Sequence, residues 1–244
     1  MTSLVSIVTG SLGGVGRCCV KRLLNQGNLV FGIDSQPLGS SSEQEYLLDH
    51  PGYVHHALDI RNEEMVEGCV EQIYAEYQRI DRLIHCASIL RASSSLCTLS
   101  DSLNEDWRAV IEVNLVGAFY VNKHTSKKML LNKSGNIVNI ASTSALVGRA
   151  YDSAYCASKF GLIGMSESLN EEVMPKGVRV QCLLPDAIDT LFWDQNGSSI
   201  PKPRYMLSPE SVADAIIFLL ELPADAYIRN LELYPLKTKV KSSR

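Results

Sequence analysis

Short apolar runs alternate with longer amphipathic stretches along the whole chain. The apolar runs cover residues 4–9, 29–34, 53–58, 82–87, 136–141, 178–184 and 228–234. One of the stretches between them carries Met65, Cys69, Ile73 and Tyr77, which share one face of a helix. This alternation predicts an α/β fold of about seven parallel strands with helices on both faces of the sheet.

Glycines, prolines and short polar residues mark several helix ends. The first helix is predicted from about Gly14 to Asn25, with Gly27 as its stop signal. Asn62 precedes a pair of glutamates and is the predicted N-cap of the next long helix, while Ser208 is a predicted start of the last one. A long helical pattern from about residue 103 to 130 carries Asn114 on its apolar side, where a buried amide needs hydrogen-bond partners.

Length and composition favour one large hydrophobic core. The 244 residues are 45% hydrophobic, so we predict a single domain over residues 1–244. The net charge of −4 argues against nucleic acid or an anionic membrane as the main partner. No apolar run approaches the length of a membrane span, and strand-like sequence at Leu4 leaves no room for a signal peptide. Seven cysteines without metal-ligand or paired spacing indicate reduced thiols, and we expect a cytoplasmic protein with no metal site.

A glycine-rich turn follows the first apolar run and opens the first helix. Glycines there let the backbone approach a pyrophosphate, which would lie at the positive end of the helix. Asp34 ends the next strand at a spacing that suits a carboxylate bonding the ribose hydroxyls of NAD. These features predict a Rossmann-type, doubly wound sheet with cofactor contacts from the turn at Gly10, Ser11, Leu12, Gly13, Gly14, Val15 and Gly16.

The stretch from Asn139 to Lys159 carries the candidate chemistry. Tyr155 and Lys159 are four residues apart, so on a helix they lie one turn from each other. An ammonium beside a tyrosine hydroxyl favours the phenolate and lowers the tyrosine pKa, and such a tyrosine can exchange a proton with an alcohol oxygen. Ser142, at the end of the preceding strand, could hydrogen-bond the same oxygen.

The glycine turn, Asp34, Ser142, Tyr155 and Lys159 together resemble the short-chain dehydrogenase/reductase family over about residues 4 to 235. The resemblance implies hydride transfer between NAD(H) and a secondary alcohol or ketone, with Tyr155 as general acid/base. It also implies that Lys159 lowers the tyrosine pKa and binds the nicotinamide ribose, that Ser142 orients the substrate oxygen, and that Asn114 positions a water of the proton relay.

Further cofactor contacts are carried over from the same family pattern. They are Asp59 and Ile60 at the adenine, Cys86, Ala87 and Ser88 at the end of the fourth strand, Pro185, Ile188 and Thr190 at the nicotinamide half, and Asn114, Tyr155 and Lys159. An alternative for Asp59 is a helix cap. NAD is favoured over NADP because Asp34 would repel a 2′-phosphate, and Arg17 is the nearby candidate that could bind one.

The chain departs from the family pattern at two places. Residues 85–88 read His-Cys-Ala-Ser where the family has Asn-Asn-Ala-Gly, and Asp186 replaces a glycine beside the nicotinamide site. His85 is interpreted as a satisfied core histidine rather than a catalytic or metal-binding one. Asp186 could narrow substrate choice or point away from the site.

Two segments near the C-terminus are polar or turn-rich and lie outside the predicted sheet and helices. The turn-rich residues 191–207, with Phe192, Trp193 and Tyr205, are predicted to cover the substrate, or else to pack against the body of the protein. The basic C-terminal tail is predicted to be solvated. The resemblance implies a homodimer or homotetramer. The rivals are a redox sensor that binds NAD(H) without turnover and an NADP-linked carbonyl reductase.

Overall fold

The computed structural model describes residues 3–39, 42–93, 96–194 and 203–236. The strands are β1 Val5–Thr9, β2 Leu29–Asp34, β3 Tyr53–Ala57, β4 Arg82–His85, β5 Gly135–Ile140, β6 Val178–Pro185 and β7 Asn230–Leu233. They form a seven-stranded sheet in the order β3-β2-β1-β4-β5-β6-β7, and each neighbouring pair is parallel. The predicted doubly wound parallel sheet is confirmed.

Helices cover both faces of this sheet. They are α1 Gly14–Asn25, α2 Glu45–Leu48, α3 Glu63–Tyr77, α4 Asn104–Ile111, α5 Ala118–Asn132, α6 Ser153–Val173 and α7 Pro209–Leu220. Successive strand residues point to opposite faces, so Val8 packs in one core with α1 and α7 while Ile7 packs in a second with α3 and α5. In the described ranges, no helix combines the length and apolar composition that crossing a bilayer requires.

The helix signals of the sequence are found where they were predicted. Helix α1 runs from Gly14 to Asn25. Asn62 caps α3 by accepting a hydrogen bond from the backbone N–H of Met65 at 3.1 Å, and Ser208 caps α7 by accepting from Ser211 at 3.1 Å. Short polar side chains at these positions satisfy N–H groups that the helix itself leaves open.

The long predicted helix is not continuous. Between α4 and α5 the chain forms a π-helical segment, Glu112–Gly117, with Asn114 buried inside it. The Asn114 amide bonds both backbone groups of Ile89, at 2.8 Å each. Such bulges are frequent at functional sites, and the helical periodicity of the sequence does not reveal them.

The strand order reverses between β1 and β4, and the backbones that follow these two strands pack closely together. Gly10, directly after β1, has φ +63°, and a Cβ at this position would lie 2.8 Å from the backbone N of Ala87. A side chain therefore cannot be accommodated where the ends of β1 and β4 meet. In open parallel sheets, ligands bind in the crevice outside the strand ends at such a switch point.

A buried amide pair supports the end of β5. Asn122 and Asn139 donate to each other's carbonyl oxygens at 3.0 Å, and Asn139 also donates to Ser166 Oγ at 2.8 Å. The three side chains belong to α5, β5 and α6 and are almost fully buried. They fix β5 between its two covering helices just before the chain reaches Ser142.

Removal of the Asn122 amide leaves the buried Asn139 side chain without its reciprocal partner. We expect Asn122→Ala to lower the free energy of unfolding by about 2 kcal/mol. The exposed Asn132→Ala, which loses a surface bond to Gln78, should change it by about 0.5 kcal/mol or less. Urea denaturation of both variants measures the difference, and equal losses would contradict a structural role for the pair.

Candidate active site

A cleft of about 1680 Å³ opens at the carboxyl ends of the strands around the switch point. Its walls come from the glycine turn, the ends of β2, β4, β5 and β6, the first turns of α6 and the segment after β6. Of the predicted site residues, the following line it: Gly10, Leu12, Gly13, Gly14, Val15, Gly16, Asp34, Asp59, Ile60, Cys86, Ala87, Ser88, Ser142, Tyr155, Lys159, Pro185, Ile188 and Thr190.

Two predicted site residues, Ser11 and Asn114, are not among those that line the cleft. The Ser11 side chain is fully buried beneath the turn, hydrogen-bonded to Tyr53 of β3, so the backbone of Ser11 is the part that could make its predicted cofactor contact. Asn114 clasps Ile89 and also donates to Ser158 Oγ at 3.2 Å. Since Ser158 Oγ donates to the Tyr155 carbonyl at 2.7 Å, Asn114 connects the segment after β4 to the helix that carries the tyrosine.

Three side chains with complementary chemistry meet at one end of the cleft. Tyr155 and Lys159 project from α6, and Ser142 lies two residues after the end of β5. Lys159 is buried; its Nζ donates to the Ile140 carbonyl at 2.8 Å and lies 5.6 Å from the centre of the Tyr155 ring. The end of β5 thus aligns the lysine and delivers the serine.

Burial dominates the titration of this group. It raises the pKa of Tyr155 to about 12, and a hydrogen bond from Ser142 opposes this only in part. Burial also lowers the pKa of Lys159 to about 8. The direction for Tyr155 is opposite to the expected one, because removal of the phenolate from water outweighs an ammonium that is turned toward Ile140. In the chain alone, Tyr155 is therefore a protonated hydroxyl at neutral pH.

The glycine turn, residues 10–16, exposes its backbone to the cleft, and we call this backbone the glycine cradle. A Cβ at Gly16 would lie 2.0 Å from the carbonyl oxygen of Gly10, and one at Gly14 would lie 2.5 Å from Thr190 Cγ2. Among the described side chains none caps the start of α1, whose first residues line the cleft. Close backbone approach and open N–H groups at a helix start suit the pyrophosphate of a dinucleotide.

The two aspartates at the other end of the cleft differ in their partners. Asp34 accepts backbone N–H groups through both oxygens, from Leu12 at 3.0 Å and from Gln36 at 3.1 Å. Asp59 instead pairs with Arg61, and those hydrogen bonds lower the pKa of Asp59. Since Asn62 caps α3, the cap alternative for Asp59 does not hold.

His85 occupies the position where the family has its first asparagine. Its Nδ1 lies 2.8 Å from Thr9 Oγ1, which also accepts from the backbone N of Ala87 at 3.3 Å, so the histidine joins β4 to β1. Burial, with the nearby charge of Lys159, lowers the pKa of His85 to about 3. It is a core histidine, but only one nitrogen is satisfied, because Nε2 has no partner among the described residues.

Asp186 points back toward the segment after β5. It accepts a hydrogen bond from Thr143 Oγ1 at 3.1 Å and lies 3.4 Å from a guanidinium nitrogen of Arg149. Arg149 also donates to Ser144 Oγ at 3.1 Å. All four residues line the cleft, so Asp186 is a paired charge in its wall. The sequence showed Asp186 as a departure from the family pattern, but no motif indicated that Arg149 would pair with it.

Part of the segment predicted to cover the substrate lies against Tyr155. The ring centres of Phe192 and Tyr155 are 5.9 Å apart, and Trp193 Nε1 donates to the Ile188 carbonyl at 2.7 Å. Both aromatic residues and Tyr205 line the cleft. Residues 195–202, the centre of the predicted cover, lie outside the described residues.

Comparisons with known proteins agree with this geometry. A family model described as short chain dehydrogenase matches residues 4–200. A 3-oxoacyl-[acyl-carrier-protein] reductase from Synechocystis is 32% identical over 235 residues, covering 93% of each chain. The aldohexose dehydrogenase of Thermoplasma acidophilum is 26% identical, with a TM-score of 0.80 over 95% of this chain and 92% of that one.

A second similar structure is ElxO with NADP bound. Its TM-score is 0.83, and the match covers 96% of this chain and 98% of that one. At 23% identity this similarity supports the fold alone. The extent of the family match, with a reductase relative aligned over almost the full chain, shows that this protein belongs to the short-chain dehydrogenase/reductase family, oxidoreductases that bind a nicotinamide cofactor and small-molecule substrates.

Proposed function

We propose that this chain reduces a ketone to a secondary alcohol, and catalyses the reverse reaction, with NAD(H) as its cofactor. The main support for this proposal is that Tyr155, Ser142 and Lys159 line the same cleft as the glycine turn. A bound nicotinamide supplies the hydride chemistry. The protein provides a proton donor, an orienting hydroxyl and a buried cation.

Tyr155 acts as the general acid in the reducing direction. Its raised pKa keeps the hydroxyl protonated at neutral pH, so that it can donate to a substrate oxygen that becomes negative. Ser142 orients the same oxygen. The Lys159 ammonium stabilises the tyrosinate left after proton transfer, which the buried site otherwise disfavours. Asn114 supports the geometry through Ile89 and Ser158.

NAD(H) is proposed over NADP(H) because of the carboxylate at the end of β2. The two backbone bonds of Asp34 hold its negative charge in the cleft wall, where a 2′-phosphate would meet it. Asp59 and Ile60 are proposed to contact the adenine. Arg17 lines the same part of the cleft and is the group that an NADP-linked reductase would use instead.

A 3-oxoacyl thioester is the first substrate to test, because the Synechocystis relative is named for a 3-oxoacyl group. Phe192, Trp193 and Tyr205, in the described part of the predicted cover, are proposed to contact it. A homodimer or homotetramer is proposed from the family, and the half-exposed Phe119 and Phe160 place apolar surface on α5 and α6.

Removal of the Tyr155 hydroxyl should abolish turnover while leaving the cleft intact. We expect Tyr155→Phe to lower kcat about 100-fold or more, and to retain NADH binding. Tyr151→Phe, at a nearby exposed position, is the matched control and should keep kcat within about twofold. Tight NADH binding without turnover in the wild type and in both variants would favour a redox sensor that binds NAD(H) but does not turn it over.

The rate of ketone reduction should fall as pH rises above about 8. Lys159 is protonated below its lowered pKa and neutral above it, so the stabilising charge is lost on the alkaline side. The measurement is kcat/KM for ketone reduction from pH 6 to 10. Lys159→Arg keeps the charge through this range, so its residual activity should show no decline near pH 8; an identical decline would assign it to another group.

The cofactor preference should depend on the Asp34 charge. We expect the wild type to bind NADH more tightly than NADPH, and Asp34→Ser to shift the affinity ratio toward NADPH by at least about tenfold. Fluorescence titration of both dinucleotides measures this ratio. Tighter binding of NADPH by the wild type would establish the NADP-linked alternative.

A further inference from the structure

A closed ring of hydrogen bonds lies beneath and beside the glycine turn. On one side, the buried Tyr53 hydroxyl lies 3.3 Å from Ser11 Oγ and 3.3 Å from His55 Nδ1. His55 Nε2 lies 2.9 Å from the backbone carbonyl of Gln36. The other side of the ring is the Asp34 carboxylate, which accepts from the backbone N–H groups of Gln36 and Leu12.

The ring joins three parts of the fold that the sequence keeps apart. Ser11 and Leu12 belong to the turn after β1, Asp34 and Gln36 to the end of β2, and Tyr53 and His55 to β3. Tyr53 and His55 are two residues apart and share one face of β3, as strand alternation requires. His56 is on the other face, where its ring lies 6.2 Å from that of Phe31.

Gly32, in the middle of β2, makes room for this contact. A Cβ there would lie 2.1 Å from the Tyr53 hydroxyl and 2.7 Å from Ser11 Oγ. Glycine inside a buried strand is unfavourable unless another group must approach closely. The absence of a side chain at Gly32 therefore leaves the space in which the Tyr53 hydroxyl contacts Ser11 Oγ.

From this arrangement we propose that Tyr53, together with His55, is a positioning residue for the dinucleotide. It acts through Ser11 on the turn whose backbone cradles the pyrophosphate, and through Gln36 on the position of Asp34. Neither side chain is among those that line the cleft, so neither touches the cofactor directly. The inference rests on the proposed function only in taking NAD(H) as the ligand.

The ring should affect cofactor affinity and not the chemical step. In the sheet, β2 and β3 are separated from β5, which delivers Ser142, by β1 and β4. Loss of the Tyr53 hydroxyl leaves the buried Ser11 hydroxyl without its partner, and the turn relaxes. Both hydroxyl distances are long for hydrogen bonds, so the expected loss of affinity is modest.

Tyr53→Phe tests the proposal because it removes the hydroxyl and keeps the ring. We expect the NADH dissociation constant and the KM for NADH to rise about three- to tenfold, with kcat at saturating NADH within about twofold of wild type. Tyr46→Phe is the matched control, since its hydroxyl bonds the Arg17 carbonyl 3.4 Å away and is not part of the ring. It should leave both parameters within about twofold.

Ser11→Ala removes the other partner of the same bond and guards against a folding defect at Tyr53. The double variant, Tyr53→Phe with Ser11→Ala, should bind NADH about as tightly as whichever single variant binds it more weakly. Both substitutions break the same hydrogen bond, so their effects on affinity should not add. Unchanged NADH affinity in Tyr53→Phe, fully additive losses, or a fall in kcat proportional to the loss of affinity would each overturn the proposal.

Direct titration separates the two hypotheses. Weaker NADH binding by Tyr53→Phe supports the ring even if no substrate is turned over, a result that would contradict only the proposed reaction. Should the wild type prefer NADPH, the same comparison is made with NADPH. A wild type that binds neither dinucleotide would contradict both.

Discussion

The structure depends on the close approach of two strand ends at the switch point of the sheet. Gly10 after β1 and Ala87 after β4 pack backbone against backbone, with no space for a Cβ between them. Thr9 bonds both His85 and Ala87 across the same junction. This contact fixes the glycine turn relative to the segment that Asn114 holds, so the turn and the helix α6 that carries Tyr155 are positioned by the same junction.

Hydrogen bonds between buried polar groups position the residues of the cleft near the end of β5. The Asn122–Asn139 pair supports the end of β5, the Ile140 carbonyl aligns Lys159, and Ser142 follows at once. Each group is buried with a hydrogen-bond partner, and in a low dielectric such bonds impose one geometry. The low-dielectric surroundings also set the pKa of Tyr155, which makes this end of the cleft better suited to donating a proton than to holding a phenolate.

Much of this could be predicted from the sequence, because local rules determine it. Alternating apolar runs predicted the parallel sheet, Asn62 and Ser208 predicted helix starts, and the glycine turn, Ser142, Tyr155 and Lys159 predicted part of the cleft wall. The missed features depend on contacts between distant segments. The Asn114–Ile89 contact at the π-helical segment, the Asp186–Arg149 pair and the Tyr53–Ser11 bond each join residues far apart in the chain. The Tyr155 pKa was expected in the wrong direction because burial, invisible in the sequence, outweighs the neighbouring lysine.

In the proposed reaction, the hydride of a bound nicotinamide reaches a carbonyl carbon while Tyr155 donates a proton to the carbonyl oxygen. The most direct test incubates a 3-oxoacyl thioester with NADH deuterated at the transferring position and analyses the product by mass spectrometry. We expect deuterium at the former carbonyl carbon with the wild type, and no product above background with Tyr155→Phe. Labelled product formed by Tyr155→Phe at the wild-type rate would contradict it.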